Sequence, residues 1–242
     1  MNSVYWAALG IGGSTLIGTG CGFLFSQVTE TWNDIVTAFA AGVMLAAAAF
    51  GLFAPAMELA AGAGLLLIAT GALCGALFLR GIAALSSRLG GGANLFHKHP
   101  ELLFVLALAV HKFPEGMAGG VGFNGMNPSA ALTVVIGISL QNLPEGVVMI
   151  PPLLNAGVSR KSAACIALAT GLLNALGVFA GALWGSLSGG VLPFALAFAG
   201  GAMLDVIVTQ LIPQAVGSGR LRQGGLIVMG GFLIMACVNA AF

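Results

Sequence analysis

The sequence predicts an all-α integral membrane protein of about eight transmembrane helices. Of its 242 residues, 59% are hydrophobic and only 6% are charged, whereas soluble domains carry about 25% charge. The mean hydropathy is +1.05. A soluble fold could not cover itself with so few charges, so the outer surface must face lipid. A helical crossing takes about 20 apolar residues, and eight crossings with short loops use nearly the whole chain. Residues 1–242 therefore read as a single transmembrane domain.

The spans read in order as 3–27, 34–57, 62–86, 101–123, 129–153, 161–186, 190–214 and 221–242. The first has no basic segment before it and an apolar run long enough to cross, so it reads as a helix rather than a leader. Small residues let membrane helices approach closely, and Gly alone contributes 38 positions, so the bundle should be compact. Cys21, Cys74, Cys165 and Cys237 lie apart in apolar stretches with no CxxC spacing. They read as small buried hydrophobes.

The loops give an orientation. Arg80, Arg88 and Lys98 fall at the end of span 3 or just after it, Arg160 and Lys161 between spans 5 and 6, and Arg220 and Arg222 between spans 7 and 8. Seven of the eight basic residues thus share one side, which the positive-inside rule makes cytoplasmic. This predicts a multi-pass protein of the cell (inner) membrane with both termini extracytoplasmic. The net charge of +1 gives no sign of a nucleic-acid partner. The partner the composition does imply is the lipid bilayer.

Ala38-Phe-Ala-Ala-Gly-Val-Met-Leu45 in span 2 matches Ala197-Phe-Ala-Gly-Gly-Ala-Met-Leu204 in span 7 at six of eight positions. Each then reaches a proline at similar distance, Pro55 and Pro213. In the topology above these spans run in opposite directions, as in the inverted repeats of transporters.

Spans 4 and 5 carry the chemistry. Span 4 reads His111-Lys-Phe-Pro-Glu-Gly116 and span 5 reads Gln141-Asn-Leu-Pro-Glu-Gly146, 30 residues apart. His111 and Glu115 share a helix face at four-residue spacing, as do Gln141 and Glu145. Ionisable groups at membrane depth are expensive and point to function. Pro114 and Pro144 lack an amide proton and should interrupt the helices, freeing carbonyls one turn earlier. Carboxylates with neutral imidazole suit Zn²⁺ and other first-row divalent cations. Met44 on span 2 is either a soft thioether ligand or core filler.

At these residues the sequence resembles the ZIP (Zrt/Irt-like) family of divalent metal transporters, most of all its bacterial GufA-type branch. The resemblance implies a 3+2+3 arrangement of the eight helices, with helices 1–3 and 6–8 as an inverted repeat, and a homodimer. It places the first of two adjacent metal sites on Met44, His111, Glu115, Gln141 and Glu145. The second site departs from the family pattern. Where the family has Asn and acidic residues, this chain has Lys112, Asn142 and Asn174. Span 7 has Thr209-Gln210 in place of a His-Glu pair, with Asp205 one turn earlier, while Glu58 keeps an acidic character seen in relatives.

The expected function is transport of a divalent transition metal ion, Zn²⁺ first, into the cytoplasm. The expected site holds one metal, with the Lys112 ammonium in place of the second. Lys112 pointing away to another ion pair is the alternative; a tether so tight that no metal binds would make the chain a diverged relative. Glu58, Asp205, Gln210, His97 and His99 are candidates for the path, Asp205 equally a partner for a polar neighbour. No prosthetic group is implied. The zincin HExxH pattern is absent and no catalytic Ser/His or Asp/Asp pair stands out, so an intramembrane metalloenzyme is the weaker reading. In transport, the two repeats are expected to move against spans 4 and 5.

Overall fold

The computed structural model describes residues 2–25, 30–60, 64–88, 100–121, 123, 128–184, 191–217 and 223–241, and their regular structure is all helical. The helices are α1 (Asn2–Phe25), α2 (Glu30–Ala46), α3 (Ala54–Leu59), α4 (Gly64–Arg88), α5 (Pro100–Val121), α6 (Pro128–Asn155), α7 (Arg160–Trp184), α8 (Val191–Val206), α9 (Ile212–Gly217) and α10 (Gly224–Ala241). Their ends fall within four residues of the expected span ends. Among the described residues, six helical stretches are long and apolar enough to cross a membrane, and Gly224–Ala240 is a shorter apolar helix.

Two rods are continuous but locally widened. A π-helical turn, Ala47–Phe53, joins α2 to α3, and a second, Ile207–Leu211, joins α8 to α9. The Ala54 amide donates to the Ala49 carbonyl, and the Ile212 amide to the Ile207 carbonyl, each five residues back. Pro55 and Pro213 follow directly, and a proline has no amide with which to continue the α ladder. A one-residue bulge ahead of it is one way a helix passes such a point unbroken.

The helices sort into two groups of four rods. In one, α1 lies along α6 and α7, and α5 lies along α7. In the other, α4 lies along α8, and α2 along α10. Within each group backbones touch where glycine removes the side chain. A Cβ on Gly18 would strike the Leu143 carbonyl, and one on Gly146 would sit 2.5 Å from the Thr15 carbonyl. Gly177 meets the Phe113 carbonyl and Gly116 the Asn174 carbonyl in the same manner. The second group repeats the device: Gly42 on the Val228 carbonyl and Gly231 on that of Phe39, Gly201 on that of Ala72 and Gly75 on that of Phe198.

Between the groups the contacts are sparser, chiefly α5 with α8 and α2 with α6. Side chains such as Met44, Leu52, Leu108, Val148, Leu196 and Met203 fill that seam in the largest apolar cluster. The seam thus separates spans 1, 4, 5 and 6 from spans 2, 3, 7 and 8, rather than spans 4 and 5 from the rest. The glycine contacts bind span 1 to span 5 and span 6 to span 4, a pairing that chain order does not reveal.

One expectation fails on the outer surface. Cys74, Cys165 and Cys237 are exposed and Cys21 is half-buried. In a membrane, a thiol facing lipid is as apolar as one in the core, so hydrophobicity alone does not bury it.

Candidate metal centre

The two duplicated motifs meet on the facing sides of α5 and α6. Pro114 lies inside α5 without ending it, so the one ladder bond a proline removes does not stop the helix, and His111, Lys112 and Glu115 stay on one helical surface. His111, Lys112, Glu115, Gln141, Asn142 and Glu145, with Asn174 of α7, are each no more than 3% exposed. Ligand atoms of His111, Glu115 and Glu145 lie within 4.8 Å of one another. The His111 Nε2 is 3.5 Å from Glu145 Oε2. Gln141 Nε2 donates to Glu115 Oε1.

Lys112 lies at the centre of this cluster rather than pointing away. Its ammonium donates to Glu115 Oε2 at 3.1 Å, to Glu145 Oε2 and to Asn142 Oδ1. Asn174 Nδ2 adds a bond to Glu115 Oε2 at 3.2 Å. Asn142 is held from behind, its Nδ2 donating to the Ile11 carbonyl of α1 at 3.1 Å. Each polar residue at the expected second position is therefore engaged with the ammonium or with a carboxylate it touches. Two carboxylates this deep in protein repel and are costly to desolvate, and the cation between them offsets both.

Residues 95–239 match the family model described as ZIP Zinc transporter. The chain belongs to that family. It is 39% identical over 198 residues to "Zinc transporter GufA" of Myxococcus xanthus, covering 76% of this chain and 77% of that protein. It is 31% identical to "Zinc transporter ZIPB" of Bordetella bronchiseptica over 98% of this chain and 82% of that one. "Zinc transporter ZIP11" of Homo sapiens is 32% identical over 57% of this chain and 42% of its own length. The chain is thus a ZIP protein of the bacterial GufA type, a multi-pass membrane protein and not an enzyme.

The remaining candidates of this ZIP protein are scattered. Met44 is buried at 1% in the apolar seam between the two groups. Glu58 is exposed on α3 and Gln210 is half-buried in the second π turn. Asp205 has taken a polar neighbour: its Oδ1 accepts from Arg80 Nε at 2.9 Å and Nη2 at 2.6 Å. The loop pattern places Arg80 on the basic side but does not reveal this pair, because its partner is 125 residues away. His97 and His99 lie outside the described residues.

A cavity of about 80 Å³ opens beside the site. Phe50, Gly51 and Pro55 form one wall and Val134, Gly137 and Gln141 another, with Asn239 of α10 also lining it. A Cβ on Gly51 would stand 3.7 Å from Gln141 Oε1.

Proposed function

We propose that this protein carries Zn²⁺, or a closely related divalent transition cation, across the cell membrane into the cytoplasm, one ion at a time, through His111, Glu115, Gln141 and Glu145. The observation that carries the reading is the Lys112 ammonium bonded to both carboxylates. Two divalent ions beside it would set five positive charges against two negative ones at low dielectric. One divalent ion is the load this cluster tolerates. His111 and the carboxylates supply the nitrogen and oxygen donors zinc prefers, and Gln141 adds an amide oxygen. Met44, just across the seam, is the candidate thioether donor.

The ion approaches from the extracytoplasmic side through the cavity that reaches Gln141. That side is assigned by the positive-inside rule, since the cavity lies at the end of the bundle away from Arg160 and Lys161. The seam between the two groups of rods is the surface on which they shift to expose the site to the cytoplasm. The matched glycine contacts support the reading of spans 1–3 and 6–8 as an inverted repeat around spans 4 and 5. Gly18 and Gly177, which pack on the two motif helices, are 159 residues apart, as are the two matching octapeptides. Assembly as a homodimer, Glu58, Gln210 and the His97–His99 loop as points on the path, and an inward-negative potential as driving force complete the proposal.

The test is Zn²⁺ uptake into proteoliposomes of the purified chain, with bound metal counted at saturation. Saturable uptake with one ion per chain supports the reading; two ions per chain overturns the single-metal site. No uptake of zinc or any competing divalent ion favours the second reading. In it Lys112 binds the carboxylates so well that metal is excluded, and the same ammonium contacts motivate it.

A further inference from the structure

Among the described residues, three buried side-chain oxygens near the site have no hydrogen-bond partner: Thr15 Oγ1, Glu145 Oε1 and Asn174 Oδ1. Unpartnered polar atoms at this depth are costly. Their arrangement follows the internal symmetry. Thr15 and Asn174 are 159 residues apart, and Glu115 and Glu145 are 30 apart. Gly146, next to Glu145, packs on the Thr15 carbonyl as Gly116, next to Glu115, packs on the Asn174 carbonyl. Thr15 therefore stands to Glu145 as Asn174 stands to Glu115. Asn174 donates to Glu115 Oε2 at 3.2 Å.

A second observation concerns the hydroxyl itself. A threonine inside a helix ordinarily bonds a carbonyl one turn back. Thr19 does so to Thr15 and Thr170 to Ala167, both at 2.8 Å. For Thr15 the carbonyl four residues back belongs to Ile11, which already accepts Ser14 Oγ at 2.8 Å and Asn142 Nδ2 at 3.1 Å. That crowding leaves the Thr15 hydroxyl free to serve another acceptor.

Building on the transport reading above, we infer that Thr15 is a positioning residue of the metal centre. Its hydroxyl serves Glu145 Oε1 through one water molecule, and so fixes how that carboxylate presents itself to a cation. Lys112 holds Oε2 from the other side. Nothing in the duplicated motifs marks Thr15, since it lies on α1, outside both.

The experiment compares Thr15→Val, which keeps the shape and removes the hydroxyl, with Thr15→Ser, which keeps the hydroxyl. The full-length chain is used, with Zn²⁺ as the probe. Thr15→Val is expected to raise the KM of uptake about fivefold with little change in maximal rate, as for the loss of one modest hydrogen bond. Thr15→Ser is expected to restore it. A second readout needs no metal: a double-mutant cycle of Thr15→Val with Glu145→Gln on the thermal midpoint, expected to be non-additive. An unchanged KM in Thr15→Val, equal impairment in both variants, or an additive cycle would each overturn the assignment. A wild-type chain that neither binds nor transports zinc would remove the transport reading, while the metal-free cycle would still decide the role of Thr15.

Discussion

The two groups of rods are built by one packing device and filled with opposite chemistry. In both, glycine lets a neighbouring carbonyl approach to backbone contact, as at Gly18 with Leu143 and at Gly42 with Val228. Yet the group of α1, α5, α6 and α7 holds His111, Lys112, Glu115, Gln141, Asn142, Glu145 and Asn174 in its interior, together with the buried hydroxyls of Ser14, Thr15, Thr19 and Thr170. The group of α2, α4, α8 and α10 buries only Asp34 and Thr37 among its described polar residues. Close packing is thus common property of the fold, and the cluster of buried polar side chains around Lys112 lies on one side of the seam. A polar cluster is tolerated there because each carboxylate meets the ammonium and at least one further donor or ring nitrogen.

The comparison is broken most forcefully by overfilling a backbone contact. Gly146→Val would bring its Cβ to 2.5 Å from the Thr15 carbonyl and 2.7 Å from the Thr19 amide. Neither atom can move without moving α1. The cost should exceed about 3 kcal/mol, read as loss of monodisperse protein. Gly137→Ala, with nothing within 4 Å of the new Cβ, should leave the thermal midpoint unchanged.

Next in size is loss of a carboxylate. Glu115→Gln or Glu145→Gln leaves Lys112 buried with one fewer counter-charge, a change that costs about 3–5 kcal/mol when buried pairs are broken. Zinc uptake should fall by more than the roughly tenfold to hundredfold typical of outer-shell losses at metal sites. Uptake within twofold of wild type would show that the ion travels elsewhere.

Lys112→Asn sharpens the comparison rather than breaking it. Removing the ammonium frees both carboxylates, and the number of zinc ions bound at saturation should rise from one to two per chain. Metal analysis of the purified variant measures this directly. A variant still binding one ion would mean that Asn142 and Asn174, lacking charge, cannot hold the second even when the place is vacated.

The smallest effect is expected in the apolar group. Arg80 of α4 and Asp205 of α8 bond to each other and, in the described residues, to none of His111, Glu115, Gln141 and Glu145, so breaking the pair leaves the ligand set in place. Arg80→Ala should leave the KM for zinc within twofold of wild type. A large change would show that this pair belongs to the transport path after all.

Much of the molecule was legible because lipid simplifies the code. With the hydrocarbon core as solvent, span length follows from its thickness, and the helices from Asn2–Phe25 to Gly224–Ala241 fall close to the apolar runs. The duplicated His111–Gly116 and Gln141–Gly146 motifs were equally plain, since charge at that depth is costly enough to be kept only for function. The prolines misled in part. Pro114 sits inside a continuous helix, because the one ladder bond that a proline removes does not by itself end a membrane helix. Pro55 and Pro213 marked the right places without revealing the π turns before them.

By itself the sequence determined that the chain crosses the membrane, where its spans run and which two motifs carry the ionisable groups. These follow from local composition and from spacing along one helix. Only the tertiary structure decided that α1 pairs with α6 and α5 with α7, that Lys112 lies between Glu115 and Glu145, that Arg80 reaches Asp205, and that Thr15 belongs beside the site. Those are contacts between segments from 3 to 131 residues apart. They depend on which glycine meets which carbonyl when whole helices dock, a choice set by the fit of complete surfaces rather than by any short stretch of chain.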